Sequence, residues 1–199
     1  MRGLIIFMFF LFYTFGAKAQ INDNSLYGNL GFSVGTHING EYGVNYIYKN
    51  KYSLYIGNHF YSQRSPDRPS DFSGGIFSIF GVGHDRYEDI QVLVGKIIPS
   101  ENNNTRVNIR AGLAFTKVNK VVDFVYAPTL LGPNYTFNRH QFNTVSLVIN
   151  PVFEMIKSRV LGLYLSSAIE VNKETVFFGV GFGITAGILR AKKKNNGIF

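Results

Sequence analysis

The chain has 199 residues, no cysteine and a formal net charge of +8, which excludes disulfides, thiol catalysis and cysteine metal sites. Charged residues make up 16% of it, well below the roughly 25% of a soluble domain, while glycine, phenylalanine and tyrosine are abundant. Such a composition implies a folded, β-rich chain with little water-facing surface.

The first segment stands apart. "MRG" carries a positive charge, "LIIFMFFLFYTF" is an apolar run of twelve residues, and "AKA" places small residues before Gln20. That order reads as a secretory signal peptide cleaved between Ala19 and Gln20. The run is too short to be a spanning helix, which needs about 20 apolar residues. The expected organisation is a signal peptide over 1–19 and a single domain over 20–199.

From there on the spacing has a period of two, that of a strand with two different faces. It predicts strands over 26–36, 42–49, 51–62, 87–98, 105–117, 141–156, 160–172 and 174–190. "HING", "KNK", "PSENNN", "KSR" and "NKE" are short polar connections suited to hairpin turns. Two connections are long, 63–86 and 118–140, and both follow odd-numbered strands. An up-and-down barrel in an outer membrane shows this asymmetry, with short turns on the periplasmic side and long loops outside.

Within the third strand His59 points to the polar face, and Asp89 does so on the fourth. A hairpin register could place the two side by side near the outer rim. Asn58 and Lys96 fall on the apolar face; a bulge is expected near Asn58, whereas Lys96 lies near a strand end and can snorkel. The loop 63–86 starts polar and turns apolar in "GGIFSIFGVG". It is either packing over the barrel mouth or a partner-binding patch.

The fifth strand sets Val107, Ile109, Ala111, Leu113 and Phe115 against Arg106, Asn108, Arg110, Gly112 and Ala114. Inward arginines in a narrow barrel need carboxylate partners. Glu154 on the sixth strand is expected opposite Arg106, and Glu170 on the seventh within reach of Arg110. Pro151 removes a ladder donor from the sixth strand, so a bulge is expected there too. The eighth strand, "ETVFFGVGFGITAGILR", puts Phe178, Val180, Phe182 and Ile184 on one face and Gly179, Gly181, Gly183 and Gly187 on the other. An eight-stranded barrel has an interior just wide enough to be filled by side chains. The glycine row is therefore an interior row, leaving room for Tyr and Arg neighbours.

Other architectures fit less well. The glycines also match G-x-x-x-G, but the apolar run around them is too short to span as a helix. A periplasmic lipocalin-like barrel has the same period, yet its outer face would be a poor water-facing surface. A sandwich meets the same objection. The basic residues Lys49, Lys51, Lys96, Arg106, Lys157, Arg159, Arg190, Lys192, Lys193 and Lys194 fall at the periplasmic end, where they suit anionic headgroups and not nucleic acid. His37, His59, His84 and His140 lack ligand spacing, so no metal and no cofactor are expected.

The stretches "NYIYKNKYSLYIG", "QVLVGKI", "NTVSLVINPVFE" and "FFGVGFGITAGILR" resemble those of small outer-membrane β-barrel proteins of flavobacterial type. The implied architecture is similar to that of the OmpX and OmpA barrels. The resemblance implies an adhesin, an envelope stabiliser or, in a few cases, a lipid-modifying enzyme.

Together these readings predict an all-β chain, an eight-stranded antiparallel up-and-down transmembrane barrel preceded by a signal peptide. It is expected in the outer membrane as a monomer in contact with membrane lipids. Its expected role is non-enzymatic, structural or surface-binding, with a filled polar lumen formed around Arg106, Arg110, Glu154 and Glu170. An extracellular ligand or envelope protein would meet the loops 63–86 and 118–140. The alternative is an acyltransferase or deacylase using His59 and Asp89 at the rim.

Overall fold

The computed structural model of the chain describes residues 24–76, 82–101 and 104–190. The expected signal peptide with its Ala19–Gln20 boundary, the centre of the apolar loop stretch and the tail from 191 lie outside these residues. Eight strands follow in order: β1 Ser25–Gly35, β2 Ile38–Tyr48, β3 Tyr52–Arg64, β4 His84–Pro99, β5 Thr105–Tyr126, β6 Tyr135–Ile156, β7 Leu161–Val171 and β8 Val176–Ile188. Each pairs antiparallel with the next, and β8 closes on β1 from Leu26↔Ile188 to Gly35↔Gly179. Closure leaves no free edge within the ring, so backbone donors and acceptors are satisfied without water.

Side chains alternate around that ring. On β4, Tyr87, Asp89, Gln91 and Leu93 are buried, while Ile90, Val92 and Val94 are exposed. Around the middle of the ring the exposed set is apolar, from Leu30 and Phe32 to Phe178 and Phe182, with Leu147 67% and Val94 65% exposed; exposed charges such as Arg86, Glu88 and Arg139 lie towards the long-loop end. The barrel is thus apolar outside and polar inside, the reverse of a soluble protein.

Several boundaries differ from those expected. The first turn is at Thr36 and His37, so "HING" ends in strand and Glu41 joins the inner face of β2. The connection expected over 118–140 is mostly strand. β5 runs on to Tyr126, β6 begins at Tyr135, and only 127–134 forms the loop. Polar residues such as Asn119, Lys120, Asn138 and Arg139 hide this extension from a hydrophobic pattern, because it stands beyond the apolar belt where no apolar face is needed. Among the described residues the one register shift is between Val122 and Val125, where Asp123 takes a positive φ of 55°.

Neither expected bulge forms. The ladders pass through Tyr42↔Asn58↔Ile90 without a shift, so Asn58 faces outward, half-buried. Around Pro151 the register between β6 and β7 is kept from Ile149↔Ile169 to Val152↔Ser166. Only the ladder is interrupted. The Ser167 carbonyl, opposite the missing proline N–H, instead accepts from Asn150 Nδ2 at 2.8 Å. The β2–β3 turn has both Lys49 and Asn50 at positive φ, with Lys51 N donating to Tyr48 O at 3.0 Å. That mirror-image geometry matches strand twist in tight hairpins.

Candidate functional site

The interior is closed at both ends by apolar layers. Tyr27, Ile47, Ile97, Ile156 and Leu189 pack together at the short-turn end. Tyr61, Tyr87, Val118 and Phe177 do so at the long-loop end. His37 stands edge-on against that second layer, 5.5 Å from the Tyr87 ring and 5.6 Å from that of Phe177. Tyr55, Leu93, Ala114 and Val148 form a layer between.

Polar side chains fill the rest. Arg106 Nη2 lies 2.6 Å from Glu154 Oε2, and its Nε donates to the same oxygen at 2.7 Å. Glu154 Oε1 accepts from Tyr27 Oη at 2.6 Å, and Arg106 Nη1 donates to the Leu189 carbonyl at 3.2 Å. Arg110 does not meet Glu170. Its Nη1 donates to Asn45 Oδ1 at 2.7 Å, its Nε and Nη2 both reach Asn150 Oδ1, and its guanidinium lies 4.2 Å from the Tyr55 ring centre. Asn150 thus supports Arg110 through its carbonyl and the proline gap through its amide. Glu170 sits nearer the long-loop layer, where it accepts from Tyr61 Oη at 2.7 Å and Gln91 Nε2 at 3.2 Å.

Two of the inner glycines beside Tyr164 show why the row is glycine. A Cβ on Gly183 would meet Tyr164 Cε1 at 2.5 Å, and one on Gly31 would overlap its hydroxyl. The ring lies in that groove and its hydroxyl donates to Glu41 Oε1 at 2.5 Å. A void of about 10 Å³ lined by Tyr27, Asn29, Asn45, Arg110, Glu154, Tyr164 and Thr185 remains, on the order of a single water.

His59 and Asp89 face each other across the β3–β4 ladder. They turn apart. His59 Nε2 pairs with Tyr55 Oη at 2.9 Å, and Nδ1 lies 3.5 Å from Glu41 Oε2. Asp89 Oδ2 accepts from Gln91 Nε2 at 2.9 Å. Neither is at an open rim: His59 is 3% and Asp89 2% exposed, beneath the aromatic layer. Glu41, which ties this group to Tyr164, escapes a sequence reading that begins its strand at Tyr42. Its even spacing from Asn39 and Asn45 is the signal that finds it. Among the described residues no three metal-ligating side chains converge.

Beyond the long-loop layer stands a built structure. The loop after β3 folds back onto the extended β5–β6 hairpin. Ser65 Oγ donates to the Val121 carbonyl at 3.1 Å, and Val121 N donates to Asp85 Oδ1 at 2.8 Å. Phe72 stacks on Tyr135 at 6.1 Å and meets Phe124 edge-on at 5.7 Å. Tyr135 Oη donates to Asp71, and Asn134 Oδ1 accepts from Ser73 N at 2.6 Å. Leu130, Leu131 and Ile76 are left exposed at the tip.

A closed eight-stranded ring with an apolar exterior and a sealed polar lumen defines a transmembrane β-barrel. The chain is similar in fold to the N-terminal β-barrel domain of Pseudomonas aeruginosa OprF (TM-score 0.55, 10% identity, 82% of this chain and 97% of that one). Ail, the attachment invasion locus protein of Yersinia pestis, aligns at TM-score 0.49 with 9% identity, over 84% of this chain and 97% of that one. Neisserial surface protein A aligns at 0.47 with 8% identity, over 83% and 96%. No protein-family model and no curated protein matches the sequence.

Proposed function

We propose that this chain is an exported outer-membrane barrel, cleaved after Ala19, whose role is structural or surface-binding and not catalytic. Its long-loop end faces outward and its short turns face the periplasm. The observation that carries this reading is the sealed lumen: aromatic and aliphatic layers close both mouths, and the polar groups between them bond to one another. Such an interior leaves no path for a solute. What the barrel presents to the outside is the hairpin of β5 and β6 with the packed loop after β3, the regions expected to meet a ligand or envelope protein. His59 and Asp89 would need access to an acyl chain to act as a lipid-modifying pair, and both are enclosed. The chain works as a monomer in contact with lipid.

Fractionation and gel mobility test the location. The mature protein should sediment with the outer membrane and shift between heated and unheated detergent samples, since a closed barrel resists unfolding. Planar-bilayer recording tests the plug. A large, steady conductance from the wild-type protein would refute it, and a soluble periplasmic protein would favour the lipocalin-like barrel.

A further inference from the structure

The β5–β6 hairpin ends in an apolar crown without charge. No residue from Phe124 to Asn138 carries a charged side chain, and none from Phe72 to Gly83 does. The two segments meet at the tip. Ile76 N donates to the Leu131 carbonyl at 3.1 Å, and Asn134 N donates to the Ser73 carbonyl at 3.0 Å. Leu130 is 97% exposed, Leu131 61% and Ile76 60%, so three large aliphatic side chains share one tip and face water. Tyr126 and Tyr135 pair across the base of that tip, their rings 5.3 Å apart and edge-on.

The crown stands clear of the protein's own bilayer. Phe115 and Val145 are the last exposed apolar residues of the belt on these two strands. About ten ladder steps lead from Phe115 to Tyr126, so at about 3.3 Å a residue and a tilt near 40° the tip is about 25 Å above the belt. Headgroups occupy only about 5–8 Å there. The hairpin is also held upright. Phe72 stacks on Tyr135 and meets Phe124 edge-on, and Ser65 and Asp85 bond to the Val121 backbone. Around this pedestal the charges are mixed in sign. Arg68 lies over the Phe72 ring and Arg139 donates to Asn119 Oδ1, while Asp71 accepts from Tyr135 Oη and Asp123 from Asn138 Nδ2. Two cations and two carboxylates leave no net field at the crown to draw a charged ligand.

We propose that the crown inserts into the lipid surface of an apposed membrane, with Leu130, Leu131 and Ile76 entering its acyl boundary and Tyr126 and Tyr135 at the interface. The proposal rests on the outward, surface-binding reading above and names the partner. Three aliphatic side chains on a convex tip are far fewer than the roughly 20–30 residues a side of a stable protein interface. They suit the depth of about 5–10 Å to which interfacial segments enter a bilayer. Tyrosine, apolar in its ring and polar at its hydroxyl, belongs at the level just behind them. With the neighbouring charges balanced, the contact depends on neither salt nor headgroup charge.

The chain has no tryptophan, so Leu130→Trp gives a single reporter. The full mature protein is placed in lipid nanodiscs and mixed with phosphatidylcholine vesicles whose acyl chains carry bromine. Bromine quenches indole only at contact, so quenching reports entry into the second membrane. The reporter should be quenched, equally at low and high salt and equally with anionic vesicles. Adding Leu131→Asp/Ile76→Asp should weaken vesicle binding about tenfold or more. Gln141→Trp, lower on β6, should stay unquenched. An unquenched Leu130→Trp overturns the proposal and leaves the crown to a protein partner. Equal quenching at position 141, loss of binding at high salt, or an unaffected double aspartate variant also overturns it. So does an emission shift that grows with protein concentration without vesicles, since the occupant would then be a second copy. Each variant is checked for the heat-dependent mobility shift; where Leu130→Trp lacks it, Leu131→Trp carries the reporter with the same outcomes. A wild type with no mobility shift overturns the membrane reading itself, and this proposal with it.

Discussion

Replacing Arg106 by alanine removes both contacts to Glu154 Oε2 and the bond to the Leu189 carbonyl. Glu154 is then left in the interior with the Tyr27 hydroxyl as its remaining partner. Arg106 is 3% exposed and Glu154 2%, so water does not screen the orphaned charge. Breaking such a buried pair costs about 3–5 kcal/mol. The adjoining void beside Tyr27 and Glu154 would grow by the lost side chain and admit water to the carboxylate, which places the cost near about 3 kcal/mol. Replacing both charges by methionine avoids the orphan, leaving the Tyr27 hydroxyl unpaired at about 1–3 kcal/mol. The triple variant Tyr27→Phe/Arg106→Met/Glu154→Met should recover most of the loss. Urea titration in lipid vesicles, read by gel mobility or tyrosine fluorescence, measures all three. A loss below about 1 kcal/mol in Arg106→Ala would mean the pair is hydrated, and a triple variant as unstable as the single would show that packing, not charge, is at stake.

Other expectations follow from neighbouring features. A Cβ in Gly183→Ala meets the Leu30 carbonyl oxygen as well as the Tyr164 ring and should cost about 1–3 kcal/mol; Tyr164→Ala in the same chain should relieve only the ring's share, and fully additive losses would contradict that contact. Arg110→Met leaves two amides and no carboxylate, so its loss should be smaller than that of Arg106→Ala in the same titration. Trypsin added to intact cells should cut after Arg64 before Lys117 or Lys120, which lie in the extended β5, and should spare Arg68, which precedes Pro69; first cleavage within β5 would mean that the hairpin does not stand as a sheet. The Lys120 hydrogen bond holds the Glu174 carboxyl below its usual value. The pair's stabilisation is full above the ordinary carboxylate range and fades as pH falls through the lowered value. As a surface pair it is worth up to about 1 kcal/mol, so Glu174→Gln should flatten only a small part of the pH dependence.

The architecture was legible in the sequence because a barrel wall is a local object. Alternation along one strand states which face meets lipid, whatever its neighbours do, and eight such runs with short turns imply closure. The interior row of Gly179, Gly181 and Gly183 could be assigned by the same parity. Pairing that is set by the nearest ladder was also within reach, as with Arg106↔Glu154 and His59↔Asp89. Facing across a ladder did not decide contact. His59 turned to Tyr55 and Glu41, and Arg110 to Asn45 and Asn150, because side chains inside a narrow barrel reach across the lumen to strands far away in sequence. The hairpin over 118–140 was illegible for the opposite reason: it stands in water with loop packing on it, so its polar residues carry no two-faced pattern. Arg64, Arg86 and Arg139 likewise come near one another only when the sheet brings three strands together. Charge spaced widely along a chain becomes a local field only after the sheet has set its registers.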